Sequence, residues 1–299
     1  MDSTSNESAL VTCCDVLAYG SVRLTPAEIP GLRQKPGPAP SNSLPASFLR
    51  HADDQTVVGM AAVLKAIAEN GLGSQRFTEW GVLASPRFLG RVTLAGTIQR
   101  FRAEGAWGVS PHIIPHRMLH SMSGAISQAL KIHGPNLGVG GGPEGLLESL
   151  RVATAMLHGD RLPGLWVVLT GWDPEPIPDA PAPLPAGAGC VGLALALTAA
   201  RANWRGRRLR LVPPEHDRSS GRKPRRGADP DLLSLETLLA ALSAPQVRSA
   251  GIVWQLEDGS RLELDQPEAS KSLAGSHGWL PSGGRVGVGS SGAGAENSQ

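Results

Sequence analysis

Charge of one sign, long apolar runs and cysteine are all in short supply in this chain. Its 28 lysines and arginines nearly balance 26 aspartates and glutamates, for a formal charge of +2. Nothing in that balance calls for nucleic acid or a membrane surface as a partner. The apolar runs are too short to span a bilayer, and the start lacks a basic stretch followed by an apolar one, so a cytoplasmic location is expected. Cysteine occurs only as Cys13, Cys14 and Cys190. Two are adjacent in an apolar strand-like run, the third opens another, and none has metal-ligand spacing. Buried, reduced, inert thiols are therefore expected, with no metal site and no cofactor.

Several reactive signatures are missing as well. His112, His116, His120 and His133 crowd one segment, and a spacing of four stacks residues on one helical face. Zinc proteases need H-E-x-x-H, but Ile113 and Ile114 follow His112, and Pro115 interrupts any regular helix through the interval. Solvated or hydrogen-bonded histidines are expected. Ser121 and Ser123 lie near His120 without the G-x-S-x-G elbow of a hydrolase. Gly140-x-Gly142-x-x-Gly145 matches a dinucleotide fingerprint, but its acid, Asp160, falls in the turn after the helix rather than at the end of a second strand. No lysine and serine follow the glycines, which excludes a Walker loop.

What is present reads as a layered α/β domain. The chain is 41% hydrophobic and 18% charged, as globular proteins are. Residues 13–19 read as a buried strand, followed by a proline-rich loop over 26–45. Residues 57–68 are apolar around most of a helix, which suits burial against a sheet. A short strand at 79–84 and an amphipathic helix at 91–102 continue the alternation. Small residues at 121–130 permit close approach of a helix to its neighbour. Residues 144–159 keep one face apolar, and 165–170 form a continuous apolar run of strand length. The connector 173–185 is acidic, proline-dense and extended. Nine basic residues fall within 205–226, a cluster suited to an acidic carrier protein or phosphate, or simply to a solvated loop. A helix at 232–242, a hairpin at 251–264 around Asp258-Gly259 and a serine- and glycine-rich tail complete the chain.

The densest motif is GPNLGVGGGPE at residues 134–144. Together with GVSPHIIPHRMLHSMSGAISQALKIHGPN at 108–136, it resembles the segment leading to the active-site cysteine of β-ketoacyl synthases in the thiolase superfamily. Val139 matches that family's valine, Gly141 its threonine and Gly142 its alanine, and Pro143 falls where the cysteine belongs. Proline offers no nucleophile and no N–H. Residues 144–159, 165–171 and 186–195 resemble the following helix and two strands, and 13–26 the opening strand and turn. Nothing after residue 200 matches the family's two catalytic histidines or its closing glycine loop.

The resemblance implies an α/β fold: a single thiolase-like half, a layered α/β/α sheet, with a C-terminal hairpin appendix and a disordered tail. The expected organisation is a disordered start at 1–8, one domain over 9–266 with proline-rich and basic insertions, and a disordered tail over 267–299. It places helix 121–130 at a subunit interface and the floor of the site. No catalytic residue is expected. Gly140, Gly141 and Gly142 can adopt positive φ, and their amides, at the positive end of a helix dipole, suit an anion or a carbonyl oxygen. Pro143 suits the first helical position, and Glu144 in the first turn is placed to satisfy those same donors. Three functions remain open: a non-catalytic ketosynthase-like subunit of fatty-acid or polyketide-type synthesis, an acyltransferase with a non-standard nucleophile, or a structural half-domain. Partners implied by the resemblance are an acyl carrier protein, an active ketosynthase or a second copy of the chain.

Overall fold

The apolar run holding Cys13 and Cys14 forms strand β1, Thr12–Leu24, which continues until Thr25 and Pro26 turn the chain. The computed structural model describes residues 11–34, 45, 47–111, 113–159, 162–178, 184–185, 187–214, 233–244 and 251–265. Beyond β1 come helices α1, Ile29–Gln34, and α2, Asp54–Glu69, strand β2, Gly81–Pro86, and helices α3, Arg91–Glu104, α4, Ile113–Arg117, and α5, Ser121–Leu130. Strand β3, Asn136–Gly138, helix α6, Gly145–Gly159, and strands β4, Leu165–Asp173, β5, Gly189–Ala199, and β6, Arg208–Val212, follow. Helix α7, Leu235–Ser243, and strands β7, Ile252–Gln255, and β8, Arg261–Asp265, close the series.

All eight strands form one sheet in the order β3-β2-β4-β5-β1-β6-β8-β7. Strand β2 pairs parallel with β3 and β4, and the remaining neighbours pair antiparallel. Both faces are covered, which is why β4 reads as an unbroken apolar run. Trp166 and Val168 enter a core shared with α2 and α5, while Leu165, Val167 and Leu169 enter a second core with α6 and α7. The expected three-layer α/β/α arrangement is the one observed. In β1 a register shift between Val16 and Ala18 moves residues of the same parity to opposite faces. Cys14 and Val16 thereby join the α6 core and Ala18 the α2 core.

Helix α2 is buried on nearly every side, as its sequence requires. Asp53 caps it, its side chain accepting from the Gln55 N–H at 3.0 Å, an interaction that stabilises a helix start by about 1 kcal/mol. The helix lies directly on β1: a Cβ on Gly20 would stand 2.4 Å from the Ala66 nitrogen. Helix α5 has the expected limits and packs Met122, Ile126, Ala129 and Leu130 into the same core. Its close approach to α2 is made at Gly59 of α2, where a Cβ would meet the Met122 sulfur at 2.8 Å, and not at its own Gly124.

Five expectations are corrected. Helix α3 forms, but none of its residues is buried; Val92, Ile98 and Phe101 are 44%, 53% and 54% exposed, so its apolar side chains do not face the sheet. The loop expected over 26–45 contains helix α1. The basic excursion begins inside the sheet, because Arg208–Val212 is strand β6, and Arg208 and Arg210 pair with Asp15, Glu263 and Asp265. The hairpin β7–β8 is not an appendix: β8 pairs with β6 along its length, and Trp254, Leu262 and Leu264 are buried in the α6 core. Helix α7, expected from residue 232, is instead capped at Ser234, which forms a reciprocal cap with Thr237. One compact unit spans Met1–Glu268. The segments expected to be loose at 1–8 and 267–299, and the basic residues at 218–226, lie outside the described residues.

Candidate functional site

The glycine run forms a tight turn between the edge strand β3 and helix α6. The Val139 N–H bonds the Ala84 carbonyl at 2.9 Å, after which Gly140 and Gly141 take φ values of +76° and +114°. Glycine is required at the first of these on two grounds. Its φ is in the left-handed region, and a Cβ there would sit 2.6 Å from the Gly145 Cα. The turn is pinned from outside by the Phe88 N–H, which donates to the Gly141 carbonyl at 2.8 Å. Gly142 does not share the positive φ expected for all three glycines, and open space surrounds its Cα.

Pro143 and Glu144 are both exposed. The helix begins at Gly145, with the Glu144 carbonyl accepting from the Glu148 N–H at 3.1 Å, so Pro143 precedes the first helical position expected for it. Glu148, one turn into α6, carries the carboxylate that approaches Gly140, its Oε2 lying 3.2 Å from where a Gly140 Cβ would stand. In front of Pro143 is a pocket of about 90 Å³, framed by Ser85, Arg87, Thr170, Trp172 and the start of α7. Among its described lining residues there is neither a cysteine nor a histidine. Ser85 and Thr170 are thus hydroxyls without an adjoining imidazole, and an alcohol nucleophile needs a base beside it.

The polar network behind the pocket was not legible in the sequence. Thr170 Oγ1 donates to Gln55 Oε1 at 2.8 Å, and Gln55 Nε2 donates to the Arg87 carbonyl at 2.9 Å. The Arg87 guanidinium then reaches the Trp172 carbonyl at 3.0 Å and Glu175 Oε2 at 3.4 Å. The connector that read as acidic and extended therefore buries most of the Glu175 side chain, which is only 15% exposed. Burial raises the Glu175 pKa, against the lowering effect of Arg87. Its Oε1 is buried without a hydrogen-bond partner. Glu175, Trp172, Phe88 and Ile177 also border an open cleft of about 640 Å³. No sequence signal links Gln55, Arg87, Thr170 and Glu175, since they come from four separate elements or loops.

The thiols lie away from the elbow. Cys14 is fully buried, and burial, reinforced by Cys13 and Asp15, pushes its pKa up to about 12. Cys190 is equally buried; desolvation comes first and Asp53, Asp54 and Glu175 add to raising its pKa well above the ordinary value. It sits opposite Leu24 and Trp172 in the sheet, with its side chain in the α2 core, whereas α6 and the elbow belong to the other face. The histidines are also dispersed. His116 lies in the last turn of α4 and packs at a tilt against His51 with ring centroids 5.8 Å apart, while His120 precedes α5 with Nδ1 3.3 Å from Ser123 Oγ. His133 is exposed, and His112 and Asp160 lie outside the described residues. Among the described residues no group of three or more histidines, cysteines or acids is placed to hold a metal ion. No described helix is long and apolar enough to cross a membrane.

No protein-family model matches the sequence, and no curated protein matches it either. Solved structures do. A structure of a ketosynthase in complex with its chain length factor from Xenorhabdus doucetiae aligns with a TM-score of 0.52 at 14% identity, over 85% of this chain and 99% of that one. A ketosynthase bound to its type II polyketide synthase acyl carrier protein aligns at 0.46 and 10% identity, over 64% of this chain. A β-ketoacyl synthase from Burkholderia phymatum aligns at 0.44 and 13%, over 63% of this chain. The protein spans 63% and 59% of the matched chains in the last two. The near end-to-end alignment with the first shows the fold: a layered α/β sheet arrangement like that of the chain it matches in that complex.

Proposed function

We propose that the protein is a non-catalytic ketosynthase-like subunit that partners an active ketosynthase or an acyl carrier protein in fatty-acid or polyketide-type chain synthesis. The observation that carries this reading is Pro143, exposed at the elbow where the resemblance puts a nucleophilic cysteine. Claisen condensation of a carrier-bound acyl chain begins with a thiolate that holds the chain. A proline ring cannot form a thioester, and the two buried thiols face high barriers to ionisation and access. The elbow, the strand before it and the helix after it are nonetheless kept, which is what a subunit retained for docking rather than chemistry requires. The Xenorhabdus structure supports the same reading by its content, since it contains a ketosynthase together with its chain length factor.

Two measurements test this reading. Incubation with an acyl carrier protein or coenzyme A thioester is expected to leave the intact mass unchanged. Mixing with a ketosynthase that retains its cysteine and both histidines is expected to give a stable complex by light scattering after gel filtration. A covalent acyl adduct that disappears in Cys190→Ala would overturn the proposal, as would a protein that binds neither partner.

A further inference from the structure

A third cavity, of about 320 Å³, shares no lining residue with the elbow pocket and has a different chemistry. Four segments contribute one arginine each to its lining: Arg33 from the last turn of α1, Arg50 from the turn before α2, Arg100 from α3 and Arg117 from the end of α4. On α3, Thr93, Thr97 and Arg100 also line it, and their spacing of four and three puts them on one face, which directs that face toward the cavity. No aspartate or glutamate is among the described lining residues, and Ala52 and Ile113 are its apolar members. A cavity so polar is a poor container for an acyl chain.

The charge is incompletely compensated. Arg33 is occupied, paired with Asp54 and bonded to the Ala52 carbonyl. Arg50, Arg100 and Arg117 form no ion pair within 4 Å among the described residues. Asp53 feels Arg117 and Arg33 electrostatically, but its carboxylate lines the neighbouring cleft and is committed to capping α2. Guanidinium groups stay charged at every accessible pH, so bringing them together carries a repulsion that only an anion offsets. Their planar forks match tetrahedral oxyanions, each able to donate two parallel hydrogen bonds.

We propose that this cavity binds a phosphate group, either as inorganic phosphate or as the head of a small phosphate monoester. The site stands independently of the accessory-subunit reading, because none of its residues belongs to the elbow. Exposure of Arg50 and Arg100 at the rim makes the affinity dependent on ionic strength.

Isothermal titration of the full chain at fixed ionic strength tests the site, with sodium phosphate, glycerol 3-phosphate and sodium chloride as titrants. Saturable binding is expected for phosphate and none for chloride. Tighter binding of glycerol 3-phosphate identifies a monoester site, and equal or weaker binding a site for the free ion. Arg100→Gln and Arg117→Gln should each weaken binding about tenfold, the effect of losing one charge-assisted hydrogen-bond donor. Without phosphate, both variants should melt at or above the temperature of the parent protein, since each removes an uncompensated like charge. Arg117→Lys, which keeps the charge and loses the fork, should still weaken binding several-fold. No saturable heat with either phosphate, or affinity unchanged in Arg117→Lys and in the double glutamine variant, would refute the site. Binding of poly-glutamate with no response to phosphate would do so too, in favour of an acidic protein surface.

Discussion

Gly140 and Gly142 are neighbours in one motif with opposite demands. The first holds a left-handed φ and has no room for a Cβ; the second has an ordinary φ and open space. Gly140→Ala is therefore expected to cost roughly 2 kcal/mol or more, from backbone strain and the clash with Gly145. Gly142→Ala should be neutral or slightly stabilising, because it lowers the entropy of the unfolded chain. Urea denaturation of the two variants checks the contrast, and equal losses would mean that the turn is not the one described. At this scale the sequence showed which residues form the turn, since they are contiguous. It did not show that Gly142 is unstrained, or that Glu148 rather than Glu144 approaches Gly140, because both depend on where the helix begins.

At the scale of elements, one buried carboxylate ties the expected half-domain to a strand that no motif announced. Asp15 on β1 is completely buried, and its Oδ1 accepts from Arg208 Nε on β6 at 2.8 Å while Oδ2 accepts from the Arg201 backbone N–H at 2.9 Å. Asp15→Asn keeps the shape and removes the charge, leaving Arg208 short of its counter-ion. A loss of about 3 kcal/mol is expected, at the low end for a broken buried pair because the arginines reach solvent. Asp173→Asn breaks the surface pair with Arg23, in which both side chains are about half exposed, and should cost under about 1 kcal/mol. Chemical denaturation of both variants measures the difference. The apolar runs of β4 and α2 were readable because burial on all sides leaves a continuous pattern. Strand β6 was not, since two of its five residues are arginine and its partners lie far away in sequence.

For the whole molecule, the question is whether the C-terminal hairpin unfolds with the rest. Trp254 is 1% exposed and packs in the core beneath α6 and α7, and β8 is hydrogen-bonded to β6. One sheet with shared cores should melt as one unit. Trp254→Ala is expected to lower global stability by about 3–5 kcal/mol while leaving a single calorimetric transition. Two separate transitions, with only the weaker one shifted, would show that the hairpin is an independent appendix after all.

Local pattern by itself determined the alternation of strands and helices, the apolar layers and the contiguous glycines and proline of the elbow, because each is written in neighbouring residues. Tertiary structure alone decided which face of the sheet Cys190 occupies, how Gln55, Arg87 and Glu175 meet behind the elbow, and that Arg33, Arg50, Arg100 and Arg117 share one cavity. The physical reason is common to all three. Hydrophobic periodicity acts between residues a few positions apart, whereas side chains from distant segments are brought together only by the way the layers stack.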